Sequence, residues 1–597
     1  MLHTQLDSGA LLICRTDDTP LFRATARLSG AAEGVSVQLS ATPLDGDFLE
    51  FTLTVTPETE ALVEGVHLDL TPTAEAAATL SGDAAVLTLG ARLSASCGAR
   101  KLSDLLGSGE GTATLDGMGV VLATPGGGGS LLVGVAGPCP DFTETALTAG
   151  TVSFVHRPRR LLSRATEYTV AVGIADDPFA LLEGYGGVLA RHCRPLSPVP
   201  TGWNSWDYYQ AAFTMEDLRA EMAALNTSPL RGRLRYFCLD MGWENAWGDW
   251  RPNRKFPDSP ARIADEIRQA GFEPGIWTAP LQAGIWVPWT RGRRDMFLRG
   301  ESGDPLVVSA NGQSLLLDPT HPAAEEWLFA TYRGLREAGF SLFKVDYIYR
   351  DYLEAIARTH APDTGRVAVA RRFLEIIREA IGGDAHLISC GAPLPAALGL
   401  ADSARVSTDI HNFWGHIRNA AVEISALYWL NGRAWVNDPD FALVRSAEAS
   451  DDPFLNVAHN RTPYTNPVSF WMAGDDATFA ELRTWLSLVH LYGGSVFLSD
   501  SIARLNDLGL RTFDRLLESP CAPARPLDLF ESTPPRLWLS EGAEGCTLGV
   551  FNWEDTKAEV VLPAGVPARA QDFWTGESRA LSGAVALPPR GSLVLQW

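Results

Sequence analysis

Between residues 197 and 517 the chain repeats one pattern eight times, a short apolar run followed by a longer segment with apolar residues at helical spacing. The runs are TGWNSW, RYFCLDMGW, EPGIWTAP, SLFKVDYIY, HLISCGA, ARVSTDI, RAWVNDPD and GSVFLSDS. The clearest helical segments between them are TMEDLRAEMAAL, PARIADEIRQAG, AAEEWLFATYRGLREAG, RVAVARRFLEIIREAIG, HIRNAAVEISALYWLNG and FAELRTWLSLVHLYG. Strands joined through helices run parallel and must be covered on both faces, and eight such units close into a (β/α)8 TIM barrel. That fold carries its chemistry at the C-terminal strand ends. There the sequence places Trp206, Asp240, Trp277, Asp346, Cys390, Asp409 and Asp438.

The flanks read differently. Residues 1–196 alternate β-rich runs such as FLEFTLTVTP, AAVLTLGARLS and TEYTVAVGIA with turn clusters, which predicts an N-terminal β-sandwich. Residues 518–597 return to β-like runs, RLWLSE, CTLGVFNW and SLVLQW among them, and predict a small C-terminal antiparallel β domain. The chain is therefore expected to be multi-domain. TPGGGGS at 124–130 joins two apolar runs without a following Lys-Ser/Thr or helix, so it reads as a flexible turn and not as a phosphate loop.

Charge and composition exclude several classes of partner. With 49 Lys plus Arg against 71 Asp plus Glu, the net charge of −22 repels phosphate backbones and anionic headgroups, so neither nucleic acid nor a membrane surface is expected as a partner. A neutral substrate is unaffected, and 18 Trp leave room for a sugar-stacking surface. The first residues lack a basic, apolar export pattern and no run approaches the length of a membrane span, which predicts a cytoplasmic protein. Eight Cys without CxxC pairing predict reduced, mostly buried thiols, and the sequons NTS at 226–228 and NRT at 460–462 carry little weight without export.

In SLFKVDYIY, alternation points Lys344 and Asp346 to one face, and an ammonium beside a carboxylate would lower the pKa of Asp346. A structural ion pair is the plainer reading of an isolated KxD. In ARVSTDI the same alternation aligns Arg405, Ser407 and Asp409. Two inward acids from two strands make a facing carboxylate pair, the minimum machinery for cleaving a glycosidic bond. No metal or cofactor is called for, because the His residues do not cluster at ligand spacing and His411 and His416 fall past a strand end as loop or packing residues. Ser205, Ser389 and Ser407 lack a GxSxG elbow or an evident His partner, which argues against a serine hydrolase.

Taken in series, GWNSW, LDMGW with WGDW and KFP, GIWTAP, LFKVDY, SCGAPLPAALGLADSARVSTDIHNFWG and WVNDPDF resemble the α-galactosidases of glycoside hydrolase clan D, nearer to compact bacterial family 36 than to family 27. The resemblance implies a three-domain retaining enzyme that releases terminal α-D-galactose-configured sugars from an oligosaccharide or glycoside, and it allows a homo-oligomer. By position it implies Asp346 as nucleophile and Asp409 as acid/base. Arg405 and Lys344 match contacts to sugar hydroxyls, Trp206 and Trp277 the pocket indoles, and Cys390 a pocket-lining thiol. Asp438 and Asp440 in NDPD are read as a hydrogen-bonded turn at the barrel rim, and Asp249 and Trp250 as pocket rim or loop anchor.

One position departs from the pattern. Family members carry two adjacent aspartates after the second strand, for the 4- and 6-hydroxyls of galactose; here Asp240 is followed by Met241. A thioether is a poor partner for a buried hydroxyl, and leaving one unpaired costs about 1–3 kcal/mol. Either another acid, Glu244, Asp249 or Asp207, replaces the contact, or the sugar lacks a 6-hydroxyl, as β-L-arabinopyranose and 6-deoxy sugars do. An α-N-acetylgalactosaminide, transfer in place of hydrolysis as in raffinose synthases, and a non-catalytic sugar-binding scaffold are the remaining alternatives.

Overall fold

The structure is a computed structural model, and it describes all residues except 8, 91–93, 108–110, 125–128, 309–312, 453–454, 456–474, 519–520 and 544. The centre of the TPGGGGS stretch and the sequon at 460–462 lie outside the described residues.

The N-terminal part is a sandwich of two seven-stranded sheets. One runs in the order Leu2–Asp7, Ala10–Arg15, Pro20–Ser29, Gly65–Pro72, Val152–Arg157, Phe142–Leu147 and Ala113–Asp116; the other is built around Phe48–Pro57, Thr166–Ala175, Ser130–Val135 and Gly119–Ala123. Alternation does the work in these strands: Phe48–Pro57 buries Phe51, Leu53 and Val55 completely while the intervening threonines stay part-exposed. Helix α1 (Pro178–Ala190), started by Asp177 accepting the Phe179 N–H at 2.9 Å, leads into the barrel.

The barrel strands are β1 (Thr201–Asn204), β2 (Tyr236–Leu239), β3 (Glu273–Thr278), β4 (Leu342–Val345), β5 (His386–Ser389), β6 (Ser403–Arg405), β7 (Val436–Asp438), β8 (Phe441–Ala442) and β9 (Val496–Leu498). All neighbours pair in parallel, in the order β7-β6-β5-β4-β3-β2-β1-β9-β8. The eight runs read from the sequence thus become nine strands. The seventh stave breaks at Pro439: β7 pairs with β6, and β8, two residues further on, pairs with β9 at the opposite edge. The NDPD turn is the seam that closes the barrel.

The helices follow the expected segments: α2 (Met215–Thr227), α3 (Pro260–Gln269), α4 (Pro322–Glu337), α5 (Arg366–Ile381), α6 (Trp414–Ala426) and α7 (Phe479–Tyr492). Capping boxes start α2 (Thr214 with Asp217) and α7 (Thr478 with Glu481), each satisfying two otherwise orphaned N–H groups. The C-terminal part is a six-stranded antiparallel sheet with its own small core around Leu548, Val550 and Leu595. The sandwich also reaches the barrel mouth. Arg350, just past β4, pairs with Asp116 of the first sheet at 2.8 Å and lies over the ring of Phe142, bracing the loop that follows Asp346. Among the described residues no helix is long and apolar enough to cross a membrane.

Candidate active site

At the C-terminal end of the barrel the structure brings together Asp240, Lys344, Asp346, Cys390, Arg405 and Asp409, with Trp277 beside them. Asp346 immediately follows β4 and is buried. Its Oδ2 accepts the indole N–H of Trp277 at 3.2 Å and its Oδ1 accepts the N–H of Tyr347 at 2.6 Å. Tyr347 adopts φ +60°, a left-handed conformation uncommon for a bulky residue, and this bend turns the main-chain donor back onto the carboxylate. The rings of Trp247 and Tyr349 pack on Tyr347 at 4.6 and 4.9 Å, giving the acid an aromatic wall. Gly391, at φ +88°, permits that wall: a Cβ there would lie 2.1 Å from Cε1 of Tyr349.

Lys344 is not the partner expected from the sequence. Its Nζ donates to Asp240 Oδ2 at 2.7 Å, and the same oxygen accepts from Asn204 Nδ2 at 2.9 Å. In a barrel the inward side chains of alternate strands share a layer, so a residue on β4 meets the end of β2 across the lumen before it meets the residue two places further along its own strand. The consequence for Asp346 is a sign change. Burial pushes its carboxyl up, the neighbouring Asp409 adds to the rise, and Lys344 only partly offsets them.

Asp409 also lies elsewhere than expected. Strand β6 ends at Arg405, so Ser407 and Asp409 are not aligned by alternation but sit on the loop beyond it, where the Ser407 hydroxyl donates to the Pro439 carbonyl at 3.0 Å. Arg405 Nη2 reaches forward to Asp409 Oδ1 at 2.8 Å. The Asp409 side chain remains 51% exposed to the cleft. Burial of its surroundings would raise its carboxyl, but Arg405, then His411 and Lys344, outweigh that and hold it below the usual carboxylate range. The asymmetry between the two acids is therefore the reverse of the one argued from KxD.

The second partner of Arg405 Nη2 is Asp440 Oδ2, at 2.7 Å, and this oxygen also accepts the Ile410 N–H at 2.7 Å. Asp438, on the same turn, accepts Ser495 Oγ at 2.8 Å and the Asp440 N–H at 3.1 Å. The turn is real, but Asp440 belongs to the acid cluster as well; the seam that brings β7 back beside β6 is a long-range feature with no local signal. Cys390 lies 3.6 Å from Arg405 Nη1, with burial pushing its thiol well up. All eight cysteines are free thiols, five of them buried.

The corner after β2 is tightly committed. Asp240 Oδ1 accepts the Met241 N–H at 2.9 Å, its own N–H donates to Ser205 Oγ at 3.0 Å, and the Met241 side chain is half-buried against the apolar core. Asn204, which the sequence reading passed over within GWNSW, links this corner to Trp206, whose N–H it accepts at 2.8 Å. Of the three acids considered as replacements, Asp207 is fully buried between His411 and Arg445, and Asp249 is paired with Arg251 at 2.6 Å. Glu244 is buried, accepts the Gly242 N–H at 2.8 Å, and is raised by that burial to about 7. His411 is thus a packing and ion-pair residue, and no cluster of three or more His, Cys, Asp or Glu able to hold a metal lies among the described residues.

Residues 202–454 match the family model described as the glycosyl hydrolases family 31 TIM-barrel domain. The barrel is that of a glycoside hydrolase. The matched model names family 31, whereas the sequence motifs resemble clan D, and the solved structures of similar fold include members named as α-galactosidases. One, from Thermus thermophilus in complex with p-nitrophenyl α-D-galactopyranoside, is 20% identical with a TM-score of 0.59, covering 90% of this chain and 97% of that one. An α-galactosidase from Lactobacillus brevis is 12% identical with a TM-score of 0.65, over 100% of this chain and 84% of that one. A family 27 β-L-arabinopyranosidase from Geobacillus stearothermophilus is 17% identical with a TM-score of 0.51, over 67% of this chain and 95% of that one. At these identities the likeness is one of fold. In this hydrolase the acids gather at the mouth of the barrel, apart from a cavity of ≈ 720 Å³ that forms an outer groove lined by residues including Trp289, Trp327 and Trp250.

Proposed function

We propose that the protein is a retaining, exo-acting glycoside hydrolase that releases terminal α-D-galactose-configured sugars, related most closely to the compact family 36 enzymes its motifs resemble. The observation that carries this reading is that Asp409 lies within electrostatic reach of Asp346 at the C-terminal end of the barrel, with Lys344 paired to Asp240 and Arg405 to Asp409 beside them. Asp346 attacks the anomeric carbon and Asp409 protonates the departing oxygen; water then cleaves the glycosyl-enzyme with Asp409 as base. The Trp277 and Tyr347 N–H groups stabilise Asp346 once it is ionised.

For Asp409 to donate a proton, Arg405 must loosen its hold. A sugar hydroxyl inserted between Arg405 and Asp409 does this: it takes the Nη2 donor, removes the cation that depresses the acid, and lets its affinity for a proton rise on binding. The carboxylates titrate as a coupled set, so the roles are fixed in the complex and not in the free protein. The test is a panel of nitrophenyl α-galactoside, α-N-acetylgalactosaminide, α-D-fucoside and β-L-arabinopyranoside, read for rate and, by NMR, for the anomer first released. Release of the inverted anomer, or no cleavage of any member, would overturn the reading.

A second reading is favoured by the corner after β2. Met241 occupies the place of a hydroxyl-binding acid, and Glu244, Asp249 and Asp207 are each engaged elsewhere. On this reading sugars without a 6-hydroxyl, β-L-arabinopyranose foremost, are cleaved at least as well as galactose. If the galactoside is cleaved far faster than the arabinopyranoside, and Met241→Asp leaves the ratio unchanged, this reading fails.

A further inference from the structure

We propose that Asp440 is a positioning residue of the acid pair, holding the Arg405 guanidinium and the main chain just beyond Asp409 in one fixed arrangement. The inference rests on the acid/base role proposed above for Asp409 and concerns how that acid is held in place.

Three observations converge on it. First, a single carboxylate oxygen, Asp440 Oδ2, stands in ion-pair contact with Arg405 Nη2 at 2.7 Å and accepts the N–H of Ile410 at 2.7 Å, so it grips the arginine and the residue next to the acid together. Second, the grip is buried: the Asp440 side chain is 1% exposed, against 51% for Asp409. Asp409 is thus the open end of a relay anchored at Asp440, and without the anchor the loop carrying it has one fewer tie to the barrel. Third, Asp440 takes φ +77° at the seam between β7 and β8, a left-handed conformation that glycine or asparagine would adopt more readily. A turn needing only its shape would be met by those residues; an aspartate here supplies the carboxyl group that meets Arg405.

Burial, with Asp409 and Asp438 nearby, pushes the Asp440 carboxyl well up, and Arg405 and Lys344 offset only part of that rise. Oδ2 meets Arg405 Nη2 and accepts the Ile410 N–H, while Oδ1 is buried with no hydrogen-bond partner among the described residues. The charged groups facing Asp440 are Arg405, Asp409, Lys344 and Asp438; those facing Asp409 are Arg405, His411, Lys344 and Asp346. Within this set Arg405 is the one cation shared by both acids through the same nitrogen. When a substrate hydroxyl draws Nη2 away from Asp409, Asp440 keeps the guanidinium from following it.

The test uses the full chain and the variant Asp440→Asn, which suits the left-handed turn but removes the carboxyl group that meets Arg405, with Asp438→Asn as the comparison that alters the same turn without touching Nη2. A misplaced acid harms poor leaving groups most. We expect Asp440→Asn to lose about tenfold more in kcat/KM on an alkyl glycoside than on the 2,4-dinitrophenyl glycoside of the same sugar, and Asp438→Asn to lose equally on both. A crystal structure of Asp440→Asn should show Arg405 or Asp409 displaced. Unmoved Arg405 and Asp409 with an unchanged leaving-group dependence overturn the inference, as does an equal effect in Asp438→Asn. Displacement without any change in leaving-group dependence leaves the positioning role standing and removes the acid role from Asp409, so the two failures are told apart.

Discussion

The two acids at the barrel mouth are set up in opposite ways. Asp346 stands at the end of a strand, buried, with its donors supplied by an indole and its own main chain, and burial is the largest influence on its carboxyl. Asp409 stands on a loop four residues past a strand end, half-exposed, and an arginine determines its charge. One is fixed by backbone and desolvation, the other by a cation that can be drawn away. A pair of carboxylates can thus divide two roles without differing in chemical type. The difference also separates what a ligand can change: little at Asp346, much at Asp409.

The comparison breaks most severely at Asp346. Asp346→Ala should lower kcat on nitrophenyl glycosides by a factor on the order of 10⁴; residual turnover within tenfold of the native rate would remove the nucleophile assignment. Next, Asp409→Asn should cost about 10²–10⁴ on poor leaving groups and far less on dinitrophenyl glycosides; a uniform loss would mean that Asp409 is no acid. Third, Trp277→Phe deletes the 3.2 Å hydrogen bond to Asp346. It should reduce kcat about tenfold, the size expected for one bond to a charged group, with KM less affected, and an unchanged kcat would show that the indole only packs.

The smallest effect concerns stability. Glu244 shares with Asp346 a carboxyl raised by burial, in this case to about 7. A raised acid favours the folded state where it is protonated: that contribution is complete below the unfolded pKa near 4.5 and is lost as the pH climbs through about 7. Glu244→Gln should leave the unfolding free energy nearly unchanged at pH 4 and raise it at pH 8, by roughly 3 kcal/mol at most. Equal shifts at both pH values would show that Glu244 is not held by burial.

Much of the architecture is legible in the sequence because it rests on local periodicity. The eight apolar runs and the amphipathic segments between them carry their own pattern, and the capping boxes at Thr214 and Thr478 mark where helices begin. The identity of the clustered residues is legible as well, since the barrel brings every strand end to one mouth. Their pairing is not. Lys344 meets Asp240 because layers in a barrel are shared by alternate strands, and Asp440 reaches Arg405 because the seventh stave is broken to close the ring. Both facts depend on closure, which no window of neighbouring residues reports. Alternation also fails where a strand stops early, as at Arg405, and Ser407 and Asp409 show the cost of extending it.

The broken stave ties the acid cluster to closure of the ring. Strand β8 is paired to β9 alone, and β9 is supplied by residues 496–498, more than fifty positions after the turn it secures. Asp440 lies in the turn between β7 and β8, so the residues that close the ring also carry one of the two acid partners of Arg405. A chain cut before residue 496 would lack the strand that pairs with β8, and loss of glycoside cleavage in such a chain is the outcome expected if Asp440 holds Arg405.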